Sequence, residues 1–244
     1  MSVNRMQRYN YRRRRPIGCG CLAALAGFVA LIGLGVVLLL PVLPTIGLRL
    51  IGFSPVGETD TVFEGVVPAP AISLDGGIRQ GQATVNLGSY GNYRLSGDSA
   101  AYSIVVGGQT AVAIFSESGL LDLCRQLSAV CGTNSGPYRN LRVDLRPGGA
   151  VIYADVTISE LGLSQTVGMV AVVDDSGRQF TVAGVDMGGV LYSVPPNSLG
   201  DLVADFERVG NDLLRQLTLD AGGGRYDLSE IRVSDNELTL ILRS

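Results

Sequence analysis

The 244-residue chain has no histidine, no tryptophan and no lysine; all 19 of its basic residues are arginine. Without histidine there is no Ser-His-Asp or Cys-His nucleophile, and no imidazole to ligate a metal. Without lysine there is no Schiff base, no Ser-Lys dyad and no phosphate-loop lysine. The lack of tryptophan, with only 9 Tyr and 6 Phe, argues against a sugar-cleaving site, and no paired carboxylates suit one. Acidic residues are also missing from the N-terminal stretch: all 22 lie after position 57. Six arginines fall within residues 1–16, including the run Arg12 to Arg15. From residue 50 onward, 12 Arg face 22 acids, a balance of −10. The formal net charge of −3 therefore averages a basic tip and an acidic body. Such a body argues against nucleic-acid binding, which needs clustered positive charge facing phosphate.

What is present first is a long apolar run. Ile17 to Leu43 carries no charged residue, and its densest part is Cys21 to Leu40. Twenty residues at ~1.5 Å each span ~30 Å, the thickness of a bilayer's hydrocarbon core. The arginine cluster precedes the run and only Arg49 follows closely, so the positive-inside rule places the N-terminus in the cytoplasm. A cleaved signal peptide would have a shorter apolar region and a small-x-small cleavage site, and Pro41-Val42-Leu43-Pro44 offers none. Cys19 and Cys21 stand at the start of the run; they could be thioacylated, although small residues at a helix entry explain them more simply. The expected organisation is a cytoplasmic basic tip (1–16), a transmembrane helix (17–43), a stalk or linker (44–80) and an extracytoplasmic domain (81–244). The stalk reading rests on three Pro and six Gly between Gly52 and Gly81.

In the body, short apolar runs separated by Gly-Asn, Gly-Asp and Gly-Gly signals predict strands at Gln82–Leu87, Tyr93–Leu95, Ala101–Val106 and Thr110–Phe115. Ser116-Glu117 opens a helix with Leu120, Cys124 and Leu127 on its apolar face. An antiparallel meander follows from Leu141 to Val185. A long amphipathic helix is predicted from Ser198 to about Leu219, its stripe built from Leu199, Leu202, Val203, Phe206, Val209, Leu213, Leu214 and Leu217. Gly210 sits within that stripe at a cost of about 1 kcal/mol relative to Ala, so a strand or a ligand is expected to come close there. A hairpin closes the chain. The expected class is thus α+β: an N-terminal transmembrane helix, then an antiparallel sheet packed on one long and one shorter amphipathic helix.

Several motifs have ordinary explanations. Asp175-Ser176-Gly177 matches half of an aspartic-protease site, but there is no second copy, and Asp-Asp-Ser-Gly between two apolar runs reads as a hairpin turn. Cys124 and Cys131 are the cysteines of the outer domain. An even number outside the cell suggests a disulfide, yet seven residues along a continuous helix would set them ~10.5 Å apart, too far to bond. The pair is a possible disulfide only if the helix ends near Ala129. No cluster has metal-ligand spacing, so neither a metal nor a cofactor is expected. Gly222-Gly223-Gly224 follows a helix and precedes no lysine, which makes it a loop and not a phosphate cradle.

The order of pieces resembles the bacterial, membrane-anchored branch of the tubular lipid-binding (TULIP-like) proteins. The resemblance is carried by four stretches: Phe115-Ser116-Glu117-Ser118-Gly119-Leu120-Leu121, the meander from Leu141 to Val185, Val190-Leu191-Tyr192-Ser193-Val194-Pro195 leading into the long helix, and the closing hairpin Ile231-Arg232-Val233 to Leu238–Leu242. It implies a twisted antiparallel sheet wrapped along a long helix, an apolar groove for lipid acyl chains, and a non-enzymatic role. The groove lining expected on this basis is Leu202, Phe206, Val209, Gly210 and Leu213 of the long helix, with Leu120 and Leu121 of the shorter one. The expected partners are the membrane and a lipid. The alternative is an adhesion, scaffold or sensor domain of the envelope with a closed core and no ligand.

Overall fold

Alternating and β-branched segments form most of the body. The computed structural model describes residues 52–68, 70, 72–96, 101–127, 138–158, 163–196 and 198–244. The first set of elements is β1 (Ser54–Glu58), β2 (Ile78–Arg79), β3 (Gln82–Asn86), β4 (Asn92–Ser96), β5 (Tyr102–Gly107), β6 (Thr110–Ser116) and α1 (Glu117–Leu127). Then come β7 (Tyr138–Arg146), β8 (Gly149–Ile158), β9 (Leu163–Val173), β10 (Phe180–Met187), β11 (Val190–Ser193) and α2 (Ser198–Gln216). The chain closes with β12 (Thr218–Ala221), β13 (Gly224–Ser234) and β14 (Glu237–Arg243).

The strands make two antiparallel sheets. One has six strands in the order β1-β11-β10-β9-β8-β7: the predicted meander supplies β7 to β10, and β11 and β1 are added at its edge. The other has eight, in the order β2-β5-β6-β14-β13-β12-β3-β4, and curls into a half-barrel. Its centre is made by the C-terminal strands: β14 pairs with β6 and β12 pairs with β3, which joins two N-terminal hairpins into one surface. Backbone bonds cross between the sheets, from Ile231 N–H to the Gly177 carbonyl (2.6 Å) and from Gly148 N–H to the Val233 carbonyl (3.1 Å).

The expected α+β class is overturned. Among the described residues fourteen strands stand against two helices, so the domain is mainly β. Residues read as the end of the long helix and a terminal hairpin form three central strands of a second sheet. The long helix stops at Gln216, and Thr218–Ala221 is extended. Leu217 and Leu219 are 7% and 1% exposed because they enter the core of the half-barrel with β12. The expected transmembrane helix, 17–43, lies outside the described residues; among those described, no helix is long and apolar enough to cross a membrane.

Part of the tract read as a spacer is packed into the body. Phe53 is fully buried with its ring edge against Tyr192, and Phe63 packs with Val151, Val170 and Leu191. Polar bonds fasten this segment. Thr59 donates its backbone N–H to the Gly189 carbonyl (2.9 Å) and its hydroxyl to the buried Asp186 carboxylate. Asp60 pairs with Arg146 at 2.7 Å, while Arg146 also holds Asp144 at 2.8 Å. Chiefly through the Asp144 bond, the guanidinium's pKa is raised above its ordinary value.

Candidate functional site

The six-stranded sheet has two faces, and residue parity decides which side chains go to each. Val151, Val170 and Leu191 point to the face covered by Phe63. Ile152, Ala154, Val167 and Met169 point the other way, beneath α2. The first half of α2 closes on that face through Val203 and Phe206, which pack with Met169, Val185 and Tyr192.

The middle of α2 is tied to β10. There β11 is too short to pair with residues 180–184, so the strand edge would be left with unused backbone groups. The Asn211 amide supplies both missing partners: its oxygen accepts from Phe180 N–H and its nitrogen donates to the Phe180 carbonyl, each at 2.9 Å. One turn earlier, Glu207 accepts from Val182 N–H. The two residues are four apart on one face of the helix and replace an absent strand. This contact also accounts for Gly210. A Cβ there would lie 2.4 Å from the tip of the Phe180 ring, and that ring meets Phe206 in a tilted contact, 5.5 Å between centroids. The close neighbour is therefore a strand residue.

Past the contact of Phe206 and Gly210 with Phe180, the sheet carries small residues. The sheet presents Ala150 and Ala171, which are cross-strand partners, and a cavity of about 350 Å³ opens. Leu120, Leu123 and Cys124 of α1 form one wall, and Phe206, Gly210, Leu213 and Leu214 of α2 another. Ile152, Val173 and Phe180 close it from the six-stranded sheet, and Ile231, Val233 and Leu238 from the half-barrel. Every residue on its wall is uncharged, and nearly all are aliphatic or aromatic. The two helices are anchored to different parts of the body. Glu117, in the first turn of α1, accepts from Leu145 N–H at 2.9 Å, and Ser116 Oγ caps Gly119 N–H at 3.2 Å.

Of the residues expected from sequence, Leu120, Phe206, Gly210 and Leu213 lie on the cavity wall. Leu121 and Val209 are half-buried but are not among its lining residues. The side chain of Leu202 lies outside the described residues. Cys124 lines the cavity and is disulfide-bonded; Cys131 lies outside the described residues. The opposite walls, from β8, β9, β13 and β14, were not named from sequence. In β8 and β9 the signal is the Ala, Gly and Val content, which marks room without saying where it is; β13 and β14 carry no such signal.

The other motifs form turns. Asp174 accepts from Ser176 Oγ (2.5 Å) and from the backbone N–H groups of Arg178 and Gln179 (2.9 and 3.0 Å), which links β9 to β10. These bonds, the Ser176 hydroxyl first, hold its pKa below the ordinary carboxylate value. Gly222 and Gly223 take positive φ of 58° and 82° in the turn between β12 and β13, a conformation open chiefly to glycine. Among the described residues no group of three or more His, Cys, Asp or Glu is placed to hold a metal ion. No family model, no curated protein and no solved structure matches this chain.

Proposed function

We propose that the chain is a single-pass, membrane-anchored extracytoplasmic protein that binds a lipid or another apolar ligand, without catalysis, in the cavity beneath α2. The cavity is the observation that carries the reading. The side chains around a hollow of about 350 Å³ lack partner atoms on one side and forgo those van der Waals contacts. A ligand that fills the space supplies those contacts, and an uncharged wall selects for an apolar one. The residue types the chain lacks point the same way, to binding in place of chemistry.

The anchor reading rests on the uncharged stretch from Ile17 to Leu43 and the arginines ahead of it. Phe53 belongs to the core, so residues 44–52 leave a tether of at most ~30 Å between that stretch and the domain. The cavity then operates close to the bilayer. The element order that resembles the tubular lipid-binding proteins is in keeping with this reading. The rival, an envelope scaffold with a closed core, has in its favour, among the described residues, the exposed Val56, Val66, Val67 and Ile78.

The test is to isolate the full chain from membranes in copolymer discs and remove the annular lipid. Lipid that remains with the chain is then extracted and counted by mass spectrometry. One retained apolar molecule per chain is expected. Chain that keeps none, and takes up none when offered lipid, would contradict the proposal.

A further inference from the structure

We infer that the ligand of this site is a single-chain amphiphile with an anionic head group. The inference rests on the reading of the cavity as a binding site, and goes beyond it in chain number and head-group charge.

Size limits the chain. An apolar cavity of about 150 Å³ holds one benzene. On that scale about 350 Å³ takes on the order of a dozen carbons, enough for one acyl chain and too little for two. The wall offers no charged partner, so a polar head must remain outside.

A place for that head adjoins the cavity. A second hollow of about 320 Å³ lies at the C-terminal end of α2, and Leu214 forms part of both walls. Phe180 and Ile231 face the cavity, while Arg178 and Ser229, two residues before each, line the hollow. Three arginines, Arg178, Arg215 and Arg243, line it with one carboxylate residue, Asp227. Arg178 donates from Nε to the Ser229 carbonyl at 3.1 Å, which fixes the plane of its guanidinium. Arg215 stands 3.3 Å from Asp212, and Arg243 is the cross-strand partner of Asp227. The negative end of the α2 dipole points here and disfavours an anion; Arg215, in the last turn, opposes it. In a body that carries −10 from residue 50 onward, a net-positive hollow beside an uncharged cavity is the local exception. Guanidinium forks suit carboxylates and phosphates, and a chain whose tail lies past Leu214 would bring such a group to them.

The experiment uses the full chain in lipid discs, stripped of copurified lipid, with ¹³C-methyl leucine as the reporter. Tetradecanoate, tetradecanol and a two-chain phosphatidylglycerol are titrated separately at low salt, against empty discs as the background. Tetradecanoate should shift the Leu120 and Leu213 methyls and bind about tenfold more tightly than tetradecanol. The preference should vanish in the Arg178→Gln/Arg243→Gln variant, whose circular dichroism should match the parent's. Equal affinity for acid and alcohol, unchanged by the variant, would overturn the head-group assignment and leave the apolar site standing. Tighter binding of the two-chain lipid would overturn the single-chain assignment. No methyl shift with any of the three would overturn the binding reading itself.

Discussion

The two faces of the six-stranded sheet are covered by different means. On one, the segment from Thr59 to Phe63 lies flat, filled by Phe63 against Val151, Val170 and Leu191 and fastened by Asp186 and Arg146. On the other, α2 is held by its first half and by the Asn211 and Glu207 clips, and beyond them it leaves about 350 Å³ unfilled. The strands are the same. What differs is side-chain size at a few positions: Val151 and Val170 on the filled face, Ala150 and Ala171 on the open one. A covering element can therefore either seal a sheet or bridge over it, and here the helix bridges.

The largest expected effect contrasts one leucine from each face. Leu191→Ala should cost about 2–5 kcal/mol, since it opens a hole in a filled core. Leu213→Ala should cost about 1 kcal/mol or less, because its neighbours are already absent on one side. Urea unfolding of the ligand-free chain checks both, and equal costs would erase the distinction between the faces. Next is Thr59→Val. It leaves the Asp186 carboxylate, 3% exposed, with a Gly189 N–H at 3.5 Å in place of a strong donor. A loss of about 1–3 kcal/mol is expected, with faster proteolysis ahead of β2 as a second readout.

Asn211→Ala removes both bonds that bind the middle of α2 to Phe180. About 1–2 kcal/mol should be lost, and amide exchange should rise in α2 and at Phe180 while the Phe63 face stays protected. The smallest effect concerns acid. Asp155 accepts from Thr166 Oγ1 (2.6 Å) and Asn140 Nδ2 (2.7 Å), and these bonds lower its pKa. A lowered pKa gives stability that is present above the unfolded value of about 3.9 and lost as pH falls through the folded one. Asp155→Asn should therefore cost less than about 1 kcal/mol at neutral pH, screened by solvent, and nothing once the pH has fallen below the lowered folded-state value. Denaturant midpoints across that range would show the convergence.

Local signals made much of this legible. Alternation located the strands from β3 to β10, and the 3.6-residue stripe located α2 and its buried face. Gly210 stood out because a glycine on an apolar stripe needs a close neighbour, although the sequence could not say that the neighbour was Phe180. Non-local features were not legible. β12 is four residues long and continues an amphipathic pattern, so Leu217 and Leu219 read as helix until their partners in β3 and β13 are known. The fold class turned on that misreading, because those strands complete the second sheet. The cavity's far walls come from four strands spread between Gly149 and Leu238, and the arginine hollow draws on α2, β13, β14 and the turn between β9 and β10. Neither has a contiguous motif.

Ala171→Phe tests the central claim most directly. It places a ring in the space opposite Leu213 on a strand position that accepts aromatic residues. Native mass spectrometry of the full chain in lipid discs should count one apolar ligand on the parent and none on the variant, while the ligand-free variant melts at or above the parent's temperature. An equal ligand count in both, or a variant that melts well below the parent, would mean that the space under α2 is not where the ligand lies.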